Sequence, residues 1–158
     1  MRIANANDLV PDCLLCDMEE AADAAVVFRD RLWAAVVTPG YEVPGWFFLR
    51  ARRHAELLTG LNDAELDTVG HRARDLIAAV TEATGAPATY LLVFGERYRH
   101  FHALIAARGE DVPENRRSGD ILKLLADRAD PAAAVSLVPA VREAYQRITR
   151  ADRPVESA

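Results

Sequence analysis

Four side chains that can bind a metal ion lie in three separate segments of this 158-residue chain. Cys13 and Cys16 form a Cys-x-x-Cys motif, and His54 and His100 follow far downstream. A tight turn can place two thiolates of this spacing on one tetrahedral ion, and two histidines complete the ligand set of a structural zinc site. The sequence therefore predicts zinc bound by these four residues, with His102 beside it as a nucleophile.

The same residues also fit simpler interpretations. Two cysteines can pack as small apolar core residues, because free cysteine is often buried. They can also form a redox pair, but no thioredoxin-like strand precedes the motif and no helix is predicted to start on it. His54 taken alone is typical of a surface histidine in a basic loop, and His71 of a solvated position on a helix.

The composition limits the class of protein. A length of 158 residues suits one domain, and an apolar fraction of 51% is enough for a hydrophobic core. The net charge of -5 argues against a nucleic-acid polymer as partner. No apolar run reaches the roughly 18 residues that cross a membrane, and the first residues lack a signal-peptide pattern. We therefore expect a cytoplasmic protein without a membrane partner, in which a Cys-x-x-Cys motif more often binds metal or is redox-active than forms a disulfide.

The hydrophobic pattern predicts the elements that position these side chains. Asn62 and Glu65 form a capping-box pattern, and the apolar residues after them recur at helical spacing until Gly85. Asp30 and Arg31 are typical of a hairpin turn. The predicted strands cover residues 26–29, 32–37, 45–50, 89–94 and 99–107. Strand alternation in the last of these would place His100, His102 and Leu104 on one face.

After the strands, the chain is predicted to form a polar loop over residues 108–119 and helices over residues 121–128 and 140–150. We expect an α+β fold, with a mainly antiparallel five-stranded sheet, one long helix and a C-terminal helical extension. The expected divisions are a flexible lead-in over residues 1–12, the main domain over 13–108 and an extension of that domain over 109–158.

The order of these motifs resembles the histidine-triad (HIT) superfamily, specifically its zinc-containing bacterial branch. That branch opens with a Cys-x-x-Cys motif and a hairpin, continues with Pro-Gly-His and Pro-Lys-Arg-His segments and a long helix, and then has a His-x-His-x-His strand. The counterparts here are Cys13-Leu14-Leu15-Cys16, Pro44-Gly45-Trp46, Ala51-Arg52-Arg53-His54 and the segment from Gly95 to His102. Arg108 falls where the family's closing arginine would be, so the resemblance covers about residues 13–108.

The resemblance implies a fold and a chemistry. Its members have five antiparallel strands and a helix, and they usually dimerise into one continuous sheet. In the zinc-containing members the ion is bound by both cysteines, the histidine after the third strand and the first triad histidine, which correspond to Cys13, Cys16, His54 and His100. The middle histidine, here His102, attacks the α-phosphorus of a nucleotide and forms a phosphohistidine.

Several positions depart from the family pattern. Leu104 stands in place of the third triad histidine and cannot pass a proton to a leaving group. Glu96 replaces a glutamine, and its charge would repel a phosphate. Thr38 aligns with the aspartate that holds the ribose hydroxyls, and Trp46 aligns with the Pro-Gly-His histidine. The resemblance thus assigns Glu96, Arg108 and Thr38 to the substrate-binding site.

A different register takes Tyr98, His100 and His102 as the triad, but it misplaces Gly95 and Arg108, and we prefer the first.

Two functions from different classes fit these residues. The first is a nucleotide hydrolase or nucleotidyl transferase acting through a phosphohistidine on His102, with structural zinc and a small-molecule nucleotide such as a phosphoramidate or a dinucleoside polyphosphate as substrate. The second is a catalytically silent, zinc-stabilised nucleotide- or ligand-binding protein, which the changes at Glu96, Leu104 and Thr38 favour. The first is slightly preferred.

Overall fold

A computed structural model of the chain describes residues 8–152. Its centre is a five-stranded antiparallel sheet with the order β1-β2-β3-β5-β4. The strands are β1 (Val26–Arg29), β2 (Trp33–Val36), β3 (Trp46–Ala51), β4 (Ala88–Leu92) and β5 (His102–Arg108). The predicted α+β fold is confirmed. Residues 1–7 of the predicted lead-in and 153–158 of the predicted extension lie outside the described residues.

The long helix forms where the capping pattern predicts it. The helices are α1 (Leu14–Asp17), α2 (Asp63–Thr84), α3 (Leu125–Arg128), α4 (Pro131–Ser136) and α5 (Val138–Ala151). At the start of α2, the Glu65 N–H donates to the Asn62 side chain, and the Asn62 N–H donates to the Glu65 carboxylate. Gly85 ends the helix at a φ of 65°, a left-handed conformation that glycine adopts without strain. Within residues 8–152, no helix is long and apolar enough to cross a membrane.

The sheet is covered on both faces. α2 and α5 pack against one face, where Phe47, Leu49 and Ile105 are buried in the larger core cluster. The opposite face presents Phe48 and Leu104 to a second buried cluster. Strand alternation explains this division, because neighbouring residues of β3 and β5 point to opposite faces. The second face is the one that carries His102.

A segment after β5 covers much of this second face. The sequence predicts a polar loop there, followed by a helix from residue 121, but the structure has 3-10 turns over Glu114–Arg116 and Ser118–Leu124 before α3 begins. Ile121 and Leu124 are fully or nearly fully buried against the sheet. Their positions differ by three, which is one turn of a 3-10 helix, so both side chains face the same way.

β5 is shorter than the sequence predicts. It begins at His102 instead of Arg99, because the Phe101 N–H donates at 2.5 Å to the carbonyl of Ala55, which lies after β3. The Phe101 carbonyl accepts from the N–H of Ala51, the last residue of β3, at 3.1 Å. His100 therefore lies ahead of the strand and does not share its regular alternation.

Candidate functional site

The cysteine pair sits on the one-turn helix α1. The Cys16 N–H donates to the Cys13 sulfur at 3.4 Å, so Cys13 caps the helix. A helix thus begins on the Cys-x-x-Cys motif, and the expectation that none would start there is wrong. A sulfur in the capping position satisfies a free helix N–H in the way that an oxygen usually does.

The four predicted ligands lie together. The ligand atoms of Cys13, Cys16, His54 and His100 are all within 4.8 Å of one another. His100 Nδ1 is 3.5 Å from the Cys13 sulfur and 3.4 Å from the Cys16 sulfur, and His54 Nδ1 is 3.4 Å from the Cys16 sulfur. Zn–S bonds of about 2.3 Å and Zn–N bonds of about 2.0 Å at tetrahedral angles separate sulfur from nitrogen by about 3.5 Å. The cluster therefore has the dimensions of a tetrahedral metal site.

A backbone hydrogen bond fixes the tautomer of His100 that can bind a metal ion. His100 is fully buried, and its Nε2–H donates to the Ala51 carbonyl at 2.7 Å, which leaves Nδ1 without a proton and directed at the sulfurs. Burial lowers the pKa of His100 to about 4, so the ring is neutral at pH 7. Burial raises the pKa of the Cys16 thiol to about 11, an effect that a bound divalent cation reverses because coordination deprotonates a thiol.

A buried ion cluster ties the cysteine turn to the sheet. Glu19 accepts a hydrogen bond from Arg50 at 2.6 Å and one from Arg52 Nε at 2.9 Å. Burial alone would raise the pKa of Glu19, but the hydrogen bonds from Arg52 and Arg50 outweigh it and hold that pKa below its ordinary value. Since Glu19 follows Cys16 by three residues and Arg52 precedes His54 by two, the cluster connects two ligand-bearing segments.

His102 is held as a neutral ring with one free nitrogen. Its Nδ1–H donates to the His100 carbonyl oxygen at 2.7 Å, so the lone pair is on Nε2. The ring stacks on Phe48 with centroids 4.7 Å apart and an interplanar angle of 18°. Burial lowers the pKa of His102 below its ordinary value. An imidazole in this state can act as a nucleophile at pH 7.

A cleft of about 400 Å³ opens beside His102. The exposed residues Glu96 and Arg97 border it, together with the partly buried Tyr98. Its aliphatic and phenyl side chains are Phe48, Leu92, Phe94, Leu104, Leu122 and Leu125. The cleft is therefore largely apolar, and its charged groups are at exposed positions.

The three predicted substrate-binding residues do not lie together. Glu96 borders the cleft, whereas Thr38 and Arg108 are not among the residues that line it. Thr38 is 1% exposed, and its hydroxyl has no hydrogen-bond partner within residues 8–152. Arg108 ends β5, six residues or about 20 Å along the strand from His102. Their assignment to substrate binding stays a prediction.

The ion cluster around Glu19 and the cleft wall from the C-terminal segment were not predicted from the sequence. The sequence signal for the ion cluster is the spacing of Arg50 and Arg52, because residues two apart at the end of an extended strand point to the same side.

No protein-family model matches the sequence, and no curated protein matches it. Solved structures do match. A hypothetical histidine triad nucleotide-binding protein from Sulfolobus tokodaii strain7 has a TM-score of 0.71 at 16% identity, over 92% of this chain and 100% of that one. A zinc-bound histidine triad family protein from Mycobacterium smegmatis has a TM-score of 0.64 at 17% identity, over 89% and 98%.

A uridylyltransferase mutant matches at a TM-score of 0.62 and 25% identity, over 86% of this chain but 48% of that enzyme. This chain therefore spans about half of the uridylyltransferase. The likeness to these structures is a likeness of fold, and the metal-ligand cluster is found independently in this chain's own side chains. The chain has the fold of the histidine-triad proteins, and it carries a Cys2His2 cluster that fits a metal ion.

Proposed function

We propose that the chain is a nucleotide hydrolase or nucleotidyl transferase of histidine-triad type with His102 as its nucleophile. The observation that carries the proposal is the 2.7 Å hydrogen bond from His102 Nδ1–H to the His100 carbonyl, which leaves the Nε2 lone pair available beside a cleft. The proteins that share this fold include a hypothetical nucleotide-binding protein and a uridylyltransferase, which supports a nucleotide as substrate. Reduced thiols at the metal cluster suit a cytoplasmic setting.

In the proposed reaction, Nε2 attacks the α-phosphorus of the nucleotide. A P–N bond forms and the bond to the leaving group breaks, with the electron pair departing on the leaving group. Water or another acceptor then displaces the nucleotide from His102. The hydrogen bond from Nδ1–H to the His100 carbonyl stabilises the positive charge that develops on the ring.

We propose that the Cys2His2 cluster binds zinc with a structural role. Four protein ligands would occupy all four coordination positions of a tetrahedral ion, which is typical of structural sites and leaves no position for a reacting water. Cys13 and Cys16 at α1, His54 in the loop after β3 and His100 before β5 would hold the ion, which would cross-link these three segments. That last segment includes the His100 carbonyl, so the cross-link would also fix the acceptor that orients His102.

A second candidate function is a catalytically silent nucleotide- or ligand-binding protein. Leu104 favours it, because this side chain is 4% exposed and occupies the wall of the cleft where the resemblance places a proton-donating histidine. A binding protein needs the cleft but no proton donor.

We also propose a homodimer that forms through β4. This strand is at one edge of the sheet, and exposed apolar side chains cluster on and just after it: Leu91 is 49%, Val93 52% and Phe94 64% exposed. An apolar, unpaired strand edge tends to pair with another chain.

The test is turnover of a panel of nucleotide phosphoramidates, dinucleoside polyphosphates and nucleotidyl esters by the wild-type protein, His102→Ala and His71→Ala. His71 is an exposed histidine on α2 and serves as the matched control. We expect the wild type and His71→Ala to hydrolyse at least one substrate class at similar rates. His102→Ala should hydrolyse it more slowly by roughly three orders of magnitude. No turnover by folded, zinc-loaded wild type would support the silent binding protein.

A further inference from the structure

We propose that a groove on the side of the sheet opposite His102 binds a small zwitterion of the α-amino acid class. The groove has a volume of about 400 Å³, and the helices α2 and α5 that cover this side of the sheet form much of it. Its lining includes Phe28 and Asp30 at the end of β1, Arg72 and Asp75 on α2, and Tyr145 on α5. It shares no lining residue with the cleft at His102, so binding here is independent of the proposed function.

The hydroxyl of Tyr145 points to a ligand in this groove. Tyr145 is 6% exposed, and its ring stacks on Phe28 with centroids 4.2 Å apart and an interplanar angle of 1°. Buried phenols usually have a hydrogen-bond partner, but this hydroxyl has none within residues 8–152. Burial raises the pKa of Tyr145 above its ordinary value, so the hydroxyl keeps its proton at pH 7. A ligand in the groove would supply the acceptor that it lacks.

Three charged side chains act on this hydroxyl: Arg72, Asp30 and Asp75. One oxygen of Asp30 accepts from two backbone N–H groups of the hairpin at 2.8 Å, and its other oxygen accepts from Arg72 Nε. One oxygen of the buried Asp75 accepts from Arg74 Nε at 2.8 Å. Among the described residues, the second oxygen of Asp75 and the terminal nitrogens of Arg72 make no hydrogen bond.

The groups without partners therefore carry both signs of charge. The terminal N–H groups of Arg72 can donate to a carboxylate in the bidentate way typical of arginine, and the Tyr145 hydroxyl can donate to the same carboxylate. The remaining oxygen of Asp75 can accept from an ammonium group. An α-amino acid carries these two groups on neighbouring carbon atoms, so one molecule pairs with all three side chains.

A ligand with a single charge fits the groove less well. A carboxylate without an ammonium group would approach the carboxylates of Asp30 and Asp75 and bring nothing that pairs with them. An amine without a carboxylate would approach Arg72 and Arg74 and leave the donors of Arg72 unused. Like charges brought together oppose binding, so the groove discriminates against both kinds of molecule.

The ion pair at the rim does not close the groove. Arg74 donates to Asp152, but these side chains are 58% and 54% exposed. Ion pairs at such exposed positions contribute little to stability, so a ligand can displace this one at low cost.

The size and the apolar part of the groove indicate suitable probes. A volume of about 400 Å³ is within the range of sites that hold a small molecule. The stacked rings of Phe28 and Tyr145 give it an aromatic side next to the charged groups. Amino acids with apolar side chains, such as leucine and phenylalanine, can therefore place the side chain against these rings.

The experiment compares each amino acid with two analogues that lack one charge. Calorimetry measures the binding of L-leucine, 4-methylpentanoate and 3-methylbutylamine, and of L-phenylalanine, 3-phenylpropanoate and 2-phenylethylamine. We expect at least one amino acid to bind the wild-type protein at least about tenfold more tightly than either of its analogues. The variants are Tyr145→Phe, Asp75→Asn and Arg72→Gln. Tyr90→Phe is the control, because Tyr90 lies on β4 and does not line the groove.

Each variant should change a different ratio. Tyr145→Phe keeps the stacked ring and should weaken binding of the amino acid about fivefold. Asp75→Asn should reduce the preference for the amino acid over the carboxylate analogue, and Arg72→Gln should reduce the preference over the amine analogue. A general loss of structure would not separate these two preferences, and Tyr90→Phe should retain both.

The wild-type comparison tests the proposal without any variant. Equal affinity for an amino acid and its carboxylate analogue would show an anion site instead, and equal affinity for the amine would show a cation site; each result would overturn the proposal. No binding of either amino acid at concentrations up to about 10 mM would refute it as well. Unchanged affinity in both Tyr145→Phe and Asp75→Asn would show that the amino acid binds elsewhere on the protein.

Discussion

The Nδ1–H of His102 donates to the carbonyl oxygen of His100 at 2.7 Å, so the proposed nucleophile is oriented by the backbone of a metal-ligand candidate. The His100 ring in turn donates to the Ala51 carbonyl at 2.7 Å and directs its other nitrogen at the two cysteine sulfurs. One chain of hydrogen bonds thus joins the cysteine cluster, β3 and the cleft. A structural metal ion would act on the reaction through this chain of contacts, and not through contact with substrate.

The metal cluster is expected to contribute directly to folding. Binding free energy at such sites is also folding free energy, so a strong chelator should lower the melting temperature. His54→Ala should bind zinc more weakly and lose most of the chelator effect. Atomic spectroscopy measures the zinc content and circular dichroism measures the melting temperature, and His71→Ala is the control. A melting curve that strong chelator does not change would contradict the proposed structural role.

The ion cluster around Glu19 predicts a pH dependence of stability. The pKa of Glu19 is lowered in the folded protein, so its stabilising effect is complete above the unfolded value near 4.3 and is lost as the pH falls from there through the lower folded pKa. Glu19→Gln leaves Arg50 and Arg52 buried without a counter-charge and should cost about 3–5 kcal/mol at pH 7.

Urea denaturation at several pH values tests this, with the exposed Glu20→Gln as control. Below about pH 4 the difference in unfolding free energy between wild type and Glu19→Gln should shrink, because wild-type Glu19 becomes protonated. A difference that stays constant across this range would show that charge is not the cause. Acid releases a bound metal ion from both proteins, so comparing them at the same pH removes this shared effect from the difference in unfolding free energy.

The exposed edge of β4 predicts a dimer that a single charge disrupts. Leu91→Lys should shift the protein to monomer, because it places a charge on an apolar strand edge, whereas Leu91→Ile should keep the dimer. Light scattering at several protein concentrations distinguishes the two states. A monomeric wild-type mass at all concentrations would refute the proposed dimer.

Local sequence patterns predicted the parts of the fold that are determined by local physics. The capping box at Asn62 and Glu65, the stop at Gly85 and the alternation of β3 all depend on near neighbours in the chain, and all are present. The metal-ligand set was predictable because few residue types bind zinc, so the scarce cysteines and histidines could be grouped without knowing the fold.

Contacts distant in sequence were not predictable in the same way. Glu19 and Arg50 are 31 residues apart, and nothing local indicates that they share one buried site. His100 was expected within a strand, but the pairing of Phe101 with Ala55 ends the strand at His102. Local alternation could not show this, because the competing backbone partner comes from elsewhere in the chain.

The segment that covers the second face of the sheet is expected to be part of the cooperative fold. Ile121 is fully buried in the cluster that includes Phe48 and Leu104, so Ile121→Ala should lower the free energy of unfolding by about 2–4 kcal/mol. Lys123→Ala, at a position with a 61% exposed side chain in the same 3-10 turn, should change it by less than about 0.5 kcal/mol. Urea denaturation measures both variants. If Ile121→Ala unfolded like the control, the segment would be only loosely attached, and Leu122 and Leu125 could not form a fixed wall of the cleft.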